Sequence, residues 1–341
     1  MGIVFGRTET FLSQRGGMLR ALCLAVLAAL FGAGQTSALA QVFPSRLVRI
    51  VVPYVPGAAM DSLARVIATG LSAEWGKQVI VENRPGANAI IGTEMVTRAE
   101  PDGHTLLFTA DDTFTTLPHL FRKLPFDPMK DLVPVNLSVK VLMVIVANAS
   151  VPVDSLPALI ASAHANPGAL SYGSYGAGSN AHLAMETLKS LAKVDILHVP
   201  YKGVAPALAA VIAGEVQIGF SGYGTARGQI EAGRLRPLAI ASPERVPQLP
   251  NVPTTGELGY GEVDATVWFG IAAPAKTPAE TVNRIHEAVS RVLNNPETRK
   301  LIEARGLVVA DIGPKAFAEQ LARKFHFNAE AVRRSGAKSD Q

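Results

Sequence analysis

The sequence predicts an α/β protein of two lobes, each a parallel-rich sheet flanked by helices, with a hinge and a cleft between them. Three observations lead there. The chain has 341 residues, about two domains at roughly 150 residues each. Short β-branched runs alternate with amphipathic helical segments, the pattern of strands joined by right-handed crossovers. Hydrophobic residues make up 48% and charged residues 18%, which excludes disorder as the dominant state. The net charge of +4, with no basic run, is too small for a nucleic-acid surface.

The first element is an address. Arg7, Arg15 and Arg20 precede an apolar run from Ala21 to Ala33, and Ser37-Ala38-Leu39-Ala40 follows. These are the basic region, apolar core and A-x-A site of a cleavable signal peptide over residues 1–40, with cutting expected after Ala40. Met18 offers a second possible start. The run of about thirteen residues is shorter than the roughly twenty a membrane-spanning helix needs. Cys23 is the one cysteine and lies inside this segment, so the mature chain is expected to rely on packing alone.

The next elements follow in order. Leu47 to Val52 reads as a strand, and Leu63, Val66, Ile67 and Leu71 mark one buried helix face. Gln78 to Val81, Thr105 to Thr109 and the continuous apolar run Val141 to Ala147 read as strands. Asp154 to Ala165, Asn180 to Ala192 and Ala205 to Ala213 read as helices. Between and after them come strands at Ala169 to Tyr172, Ile196 to Val199, Val216 to Phe220 and Leu238 to Ala241. Thr277-Pro278-Ala279-Glu280 has the form of a capping box opening a helix to about Leu293, and Asn295 starts another. The chain is expected to divide as 41–146 in the first lobe, 147–265 in the second and 266–341 completing the first.

Three strand-to-helix connections are rich in small residues. Gly57, Ala58, Ala59, Met60 and Asp61 lie in the first. The helix behind them offers free N–H groups, so an anion site and a plain tight turn both stay open. The second holds Ser174, Tyr175, Gly176, Gly178 and Ser179, with Ser179 a natural cap and His182 just beyond it. The third holds Tyr201 and Lys202, and Ser221 lies in a fourth segment that would complete the floor. Gly176, Gly178 and Ala181 fit a dinucleotide pattern only weakly, because Asp195 precedes its strand instead of ending it.

No catalytic constellation or metal-ligand spacing is visible, and no cofactor is expected. Neither Ser174 nor Ser221 sits in a nucleophile elbow. The reading is therefore not an enzyme. The alternative is an exported hydrolase or isomerase, for which His182 with Ser174 or Ser179 is the available pair. A sensory module is a further alternative.

The ordered set Val52-Pro53-Tyr54 to Arg65, Glu82 to Ala87, Pro101 to Leu107, Leu124 to Pro128, Tyr172 to His182, His198 to Pro206 and Leu249 to Thr254 resembles the Bug-type solute receptors of tripartite tricarboxylate transporters. The resemblance continues through Trp268-Phe269-Gly270 and spans nearly the whole mature chain. It implies a type II-like periplasmic binding protein, monomeric, that closes on a small organic acid, amino acid or related solute and presents it to membrane permease subunits. It further implies a carboxylate held by backbone N–H groups, with Gly57, Ala58, Ala59, Met60 and Asp61 on one side and Ser174, Tyr175, Gly176, Gly178, Ser179 and Tyr201 on the other.

The chain departs from that family's pattern in three places. Ala58 stands where a second glycine is common. Ala87-Asn88-Ala89 replaces a glycine-rich stretch. Asp111 and Asp112 stand where small neutral residues are usual. Either aspartate, Asp111 or Asp112, would repel a second carboxylate if it faced the ligand and would favour an ammonium or hydroxyl. The expected solute then has one carboxylate plus a donor group. The other reading has both facing solvent or capping the next helix.

Overall fold

The computed structural model describes Gly2 and residues 43–57 and 59–336. The expected signal segment 1–40 with Cys23, and Ala58, lie outside the described residues. Strands β1 (Val48–Val52), β2 (Val79–Asn83), β3 (Thr105–Ala110), β4 (Leu132–Val141), β10 (Val267–Pro274) and β11 (Val308–Ile312) form one sheet in the order β11-β4-β10-β3-β1-β2. Strands β5 (Met143–Asn148), β6 (Ser171–Ser174), β7 (Leu197–Pro200), β8 (Ile218–Gly222) and β9 (Leu235–Ile240) form a second, in the order β7-β6-β8-β5-β9.

Both sheets are mixed. The parallel portions, β2-β1-β3 and β7-β6-β8, are where strand and helix alternate in sequence. Strands β4, β10 and β5 enter antiparallel because they carry the chain from one sheet to the other. The change of sheet falls at Leu142, earlier than the expected division at 146. The run Val141 to Ala147 is apolar because Met143–Asn148 is buried between β8 and β9 in the second sheet. The return crossing runs through Thr266 into β10. Ser242 ties the two crossings together: its Oγ accepts from Met143 N (3.0 Å) and from Thr266 Oγ1 (2.8 Å).

Each sheet is covered on both faces. Helix α1 (Ala59–Trp75) buries Met60, Leu63, Ala64, Ile67 and Leu71 against Ile50 and Val52, the face that periodicity predicts except that Val66 is only half-buried. Helix α10 (Ala279–Asn294) adds Val282, Ile285 and Val289 to the same core. On the opposite face, α2 (Ile90–Thr97), the short α3 (Asp112–Thr115) and the long α12 (Pro314–Ser335) supply Val96, Phe114, Phe317 and Leu321. Short helices α4 (Leu117–Leu120) and α5 (Pro128–Asp131) lead into β4. In the second lobe, α6 (Leu156–Ala165) and α7 (Asn180–Ala192) cover one face, while α8 (Val204–Ala213) and α9 (Tyr223–Glu231) cover the other. Helix α11 (Pro296–Glu303) completes the set, with Asn295 Oδ1 accepting from the N–H groups of Glu297 and Thr298 as its cap.

One local feature differs from expectation, and a second carries backbone strain. The capping box at Thr277 does not form: α10 starts at Ala279 with Pro278 in the cap position, and Thr277 Oγ1 is buried without a hydrogen-bond partner. Ahead of α2, Ala87, Asn88 and Ala89 all take positive φ, at 45°, 52° and 73°. Left-handed backbone costs an L-residue roughly 1–2 kcal/mol, which glycine avoids. Ala87 is exposed, so Ala87→Gly loses no packing. The freer unfolded chain offsets part of the gain. A net stabilisation of about 0.5–1 kcal/mol is expected, read as a higher denaturant midpoint. An unchanged or lower midpoint would show that the turn carries no strain.

Candidate functional site

The first loop is shaped by Asp61. Its carboxylate accepts from Gly57 N (2.9 Å), Asn83 Nδ2 (3.0 Å) and Arg65 Nε (3.1 Å), while Asn83 also donates to Tyr54 O (3.1 Å). Burial opposes the charge of Asp61, yet the bonds from Arg65, the Gly57 N–H and Asn83 outweigh it and hold the carboxyl below its usual range. Asp61 therefore holds the loop and has little capacity left for a solute. Met60 packs into the core beneath it. Gly57 and Ala59 remain exposed; at Gly57, with φ of 84°, nothing lies within 4 Å of where a side chain would begin.

The second loop is built on histidines that spacing did not single out together. The Ser174 Oγ, wholly buried, lies 2.7 Å from His198 Nε2 and 3.1 Å from Gly176 O. His182 Nδ1 accepts from Gly178 N (2.9 Å), and its ring stacks on His198 with centroids 4.1 Å apart. His198 stacks in turn on Tyr172 at 4.8 Å. Burial, then the neighbouring His182, pushes the His198 imidazole down to about 4, so both rings are neutral near pH 7. Ser179 Oγ caps α7 through His182 N (3.4 Å). Gly178 faces the first lobe: a side chain there would meet Leu120 Cδ1 at 2.6 Å.

The remaining expected residues divide. Tyr201 lays its ring edge against Gly173, 3.3 Å from where a side chain would begin there, and donates its N–H to Ser174 O (2.9 Å). Ser221 is buried in β8 and gives its hydroxyl to Gly222 O at 3.2 Å, so it is spent on its own strand. The Ser–His pair of the enzyme reading exists, but with His198 in place of His182. Among the described residues no carboxylate hydrogen-bonds to His198. Glu186, the acid nearby, instead accepts from Tyr172 OH and Lys189 Nζ, both at 2.8 Å. A neutral, weakly basic imidazole without an orienting acid is a poor general base.

The two aspartates have opposite fates. Asp111 is buried and ion-paired with Lys324 Nζ at 2.6 Å, and its other oxygen accepts from Trp268 N (2.9 Å). Lys324 also donates to Thr266 O (2.6 Å) and sits 4.5 Å from the centroid of the Trp268 ring. Asp111 is thus turned inward to the hinge, not toward the loops. Asp112 is half-buried and reaches Tyr54 of the first loop, whose hydroxyl donates to Oδ1 over a long 3.4 Å. Burial, reinforced by the charge of Asp111, pushes the Asp112 carboxyl up to about 6. From the second loop comes Tyr175. Its hydroxyl is buried without a hydrogen-bond partner; the Ala181 backbone lies close, but not in bonding geometry. Burial, with the charges of Asp111 and Asp112, raises that hydroxyl. The sequence left open which of the two aspartates faces the loops, and it gave Tyr54, inside the first loop, no role of its own. A separate cavity of about 470 Å³ lies beside the hinge, away from these loops, lined in part by Leu142, Thr266, Trp268, Arg323 and Lys324.

Each sheet thus presents a small-residue loop: the second meets the first lobe where Gly178 lies against Leu120, the first reaches Asp112 through Tyr54, and Tyr175 stands within electrostatic reach of Asp112. Residues 63–337 match the family model described as the tripartite tricarboxylate transporter family receptor, TctC. The chain belongs to the TctC family. Among solved structures, Rpa4515 of R. palustris with adipate is 30% identical, covering 86% of this chain and 98% of that one, with a TM-score of 0.75. MatC from Rhodopseudomonas palustris, with bound malate, is 30% identical over 85% of this chain and all of its own (100%), with a TM-score of 0.71. The periplasmic binding protein BugD is also 30% identical, covering 87% and 99%, with a TM-score of 0.71. This TctC-family chain thus has the fold of periplasmic solute-binding proteins, and no described helix is long and apolar enough to cross a membrane.

Proposed function

We propose that this TctC-family chain is an extracytoplasmic receptor that captures a small carboxylate-bearing solute between its lobes and delivers it to the membrane subunits of a tripartite transporter. The observation that carries the reading is a pair of small-residue strand-to-helix loops, one on each sheet, in a fold whose relatives hold adipate and malate. In this reading the carboxylate rests on backbone N–H groups that the two loops leave free, not on those of Gly57, Gly176, Gly178 and Ser179, which Asp61, Ser174, His182 and Gly176 O already hold. The wall is Tyr201, and no arginine is needed because turn and helix-end amides supply the positive field. Asp61 and Ser174 shape the two loops. The N-terminal segment directs the chain to the periplasm and is cut after Ala40.

The test is thermal melting of the chain from Gln41 with carboxylates, amino acids and amides. A ligand that binds only the folded state stabilises it by about 2.7 kcal/mol at a hundredfold excess over Kd. One chemical class is expected to raise the melting temperature. No shift across the panel, together with ester or amide turnover lost in Ser174→Ala, would transfer the assignment to the enzyme reading.

A further inference from the structure

Asp111 has its counter-charge, and Asp112 does not. Lys324 is held by Asp111 and Thr266 O, and no cation lies at ion-pair distance from Asp112 among the described residues. The side-chain hydrogen bond Asp112 makes is the long one from Tyr54, with the Thr113 N–H close by. Tyr175, from the other lobe, brings a buried hydroxyl that has no partner of its own. One carboxylate bonds one phenol directly and stands within electrostatic reach of the second, and the three come from separate segments, the β1–α1 connection, the first residue of α3 and the β6–α7 connection. Two of the three groups are left without adequate partners. A half-buried carboxylate in that state calls for a donor, and a cationic one satisfies both the charge and the lone pairs.

Building on the receptor reading above, we propose that Asp112, with the Tyr54 and Tyr175 hydroxyls, is a second subsite that takes an ammonium group of the solute. The solute is then a carboxylic acid that also carries an amine, not a dicarboxylate of the kind bound by Rpa4515 and MatC. The carboxylate lies on the backbone donors and the amine on Asp112. A second carboxylate placed there would face Asp112 directly, because the charge of Lys324 is already spent on Asp111.

The test uses matched probes on the chain from Gln41 by titration calorimetry at pH 7.5: adipate against 6-aminohexanoate, malate against 4-amino-2-hydroxybutanoate, and a set of α-amino acids. An amine-bearing member is expected to bind at least tenfold more tightly than its dicarboxylate counterpart, and Asp112→Asn is expected to abolish that preference. Dicarboxylates bound more tightly by the wild type, or an amine preference that survives Asp112→Asn, overturns the subsite and leaves the receptor reading intact. Failure of every acid to bind overturns both.

A ligand-free measurement guards against a merely misfolded variant. The charged groups near Asp112 are Asp111 and Lys324, and the neutral titratable ones are the Tyr54 and Tyr175 hydroxyls. With its carboxyl held up near 6, native Asp112 keeps a proton between about pH 4 and 6 that the unfolded chain has released. Its unmatched charge therefore weakens the fold only as pH rises through that window. Asp112→Asn should melt above wild type at pH 7.5, with the gap closing near pH 4. A lower melting temperature at both values would mean that Asp112 is already satisfied within the protein, and the subsite would be withdrawn.

Discussion

Lys324→Met is expected to lower the unfolding free energy by about 3–5 kcal/mol, the usual penalty for removing one partner of a buried ion pair. Both side chains are buried, so water cannot replace the lost ammonium at Asp111. The same change removes the hydrogen bond to Thr266 O at the return crossing and the cation over Trp268. Methionine keeps most of the aliphatic stem, so the loss reports charge and hydrogen bonding more than volume. Equilibrium denaturation measures it. Asp111→Asn in the Lys324→Met background should recover a large part of the loss, because the neutral amide can still accept from the Trp268 N–H. A single substitution costing under about 1 kcal/mol, the range of exposed pairs, would mean that the pair is hydrated.

Gly224→Ala is expected to weaken solute binding while leaving the lobes folded. Gly224 opens α9 in the second lobe and lies against Arg305 and Gly306, in the turn before β11 of the first. A methyl at Gly224 would overlap the Arg305 carbonyl oxygen and come within 2.9 Å of Gly306 Cα. That obstacle is backbone and cannot rotate away. Gly306 has φ of 71° and would strike Gly224 if it carried a side chain. Overpacking of this kind costs about 1–3 kcal/mol. If closure around the solute uses this contact, that cost appears as roughly 5- to 150-fold weaker affinity. Alanine is also the better helix former, by about 1 kcal/mol, so the unliganded melting temperature should hold or rise while affinity drops. Calorimetry with any ligand found by thermal melting decides the matter, and wild-type affinity would show that binding does not need the two glycines together.

Where local chemistry decided the structure, the sequence was readable. Ser179 caps α7 because its hydroxyl reaches an amide three residues on, and the helix ran over the expected Asn180 to Ala192. The apolar face of α1 was equally plain. Strand β4 was not recognised, since Asn136 and Ser138 interrupt its apolar residues. They are buried nonetheless, with Asn136 Nδ2 bonded to Asp311 (3.0 Å) and beside His286 Nδ1 (3.0 Å), residues far along the chain. The candidate site shows the same limit. Asp111 and Asp112 are neighbours with the same side chain, and nothing nearby in sequence says which faces the loops. Lys324, on the last helix, decides it. The pairing of His198 with Ser174 depends on β6 lying parallel to β7, with Ser174 beside Pro200 in the register.

The place of β10 has a consequence for how the chain assembles. It lies between β3 and β4, yet it follows the whole second lobe in the sequence. A chain emerging from its N-terminus can complete the second sheet once Ile240 is out, because all five strands fall between Met143 and Ile240. The first sheet must wait, with the edges of β3 and β4 unpaired until residues 267–274 arrive. Unpaired edges of this kind invite strand addition from other chains. The strands of the second sheet can thus all be present before those of the first, although its core still awaits Val246, Val263 and Ala265.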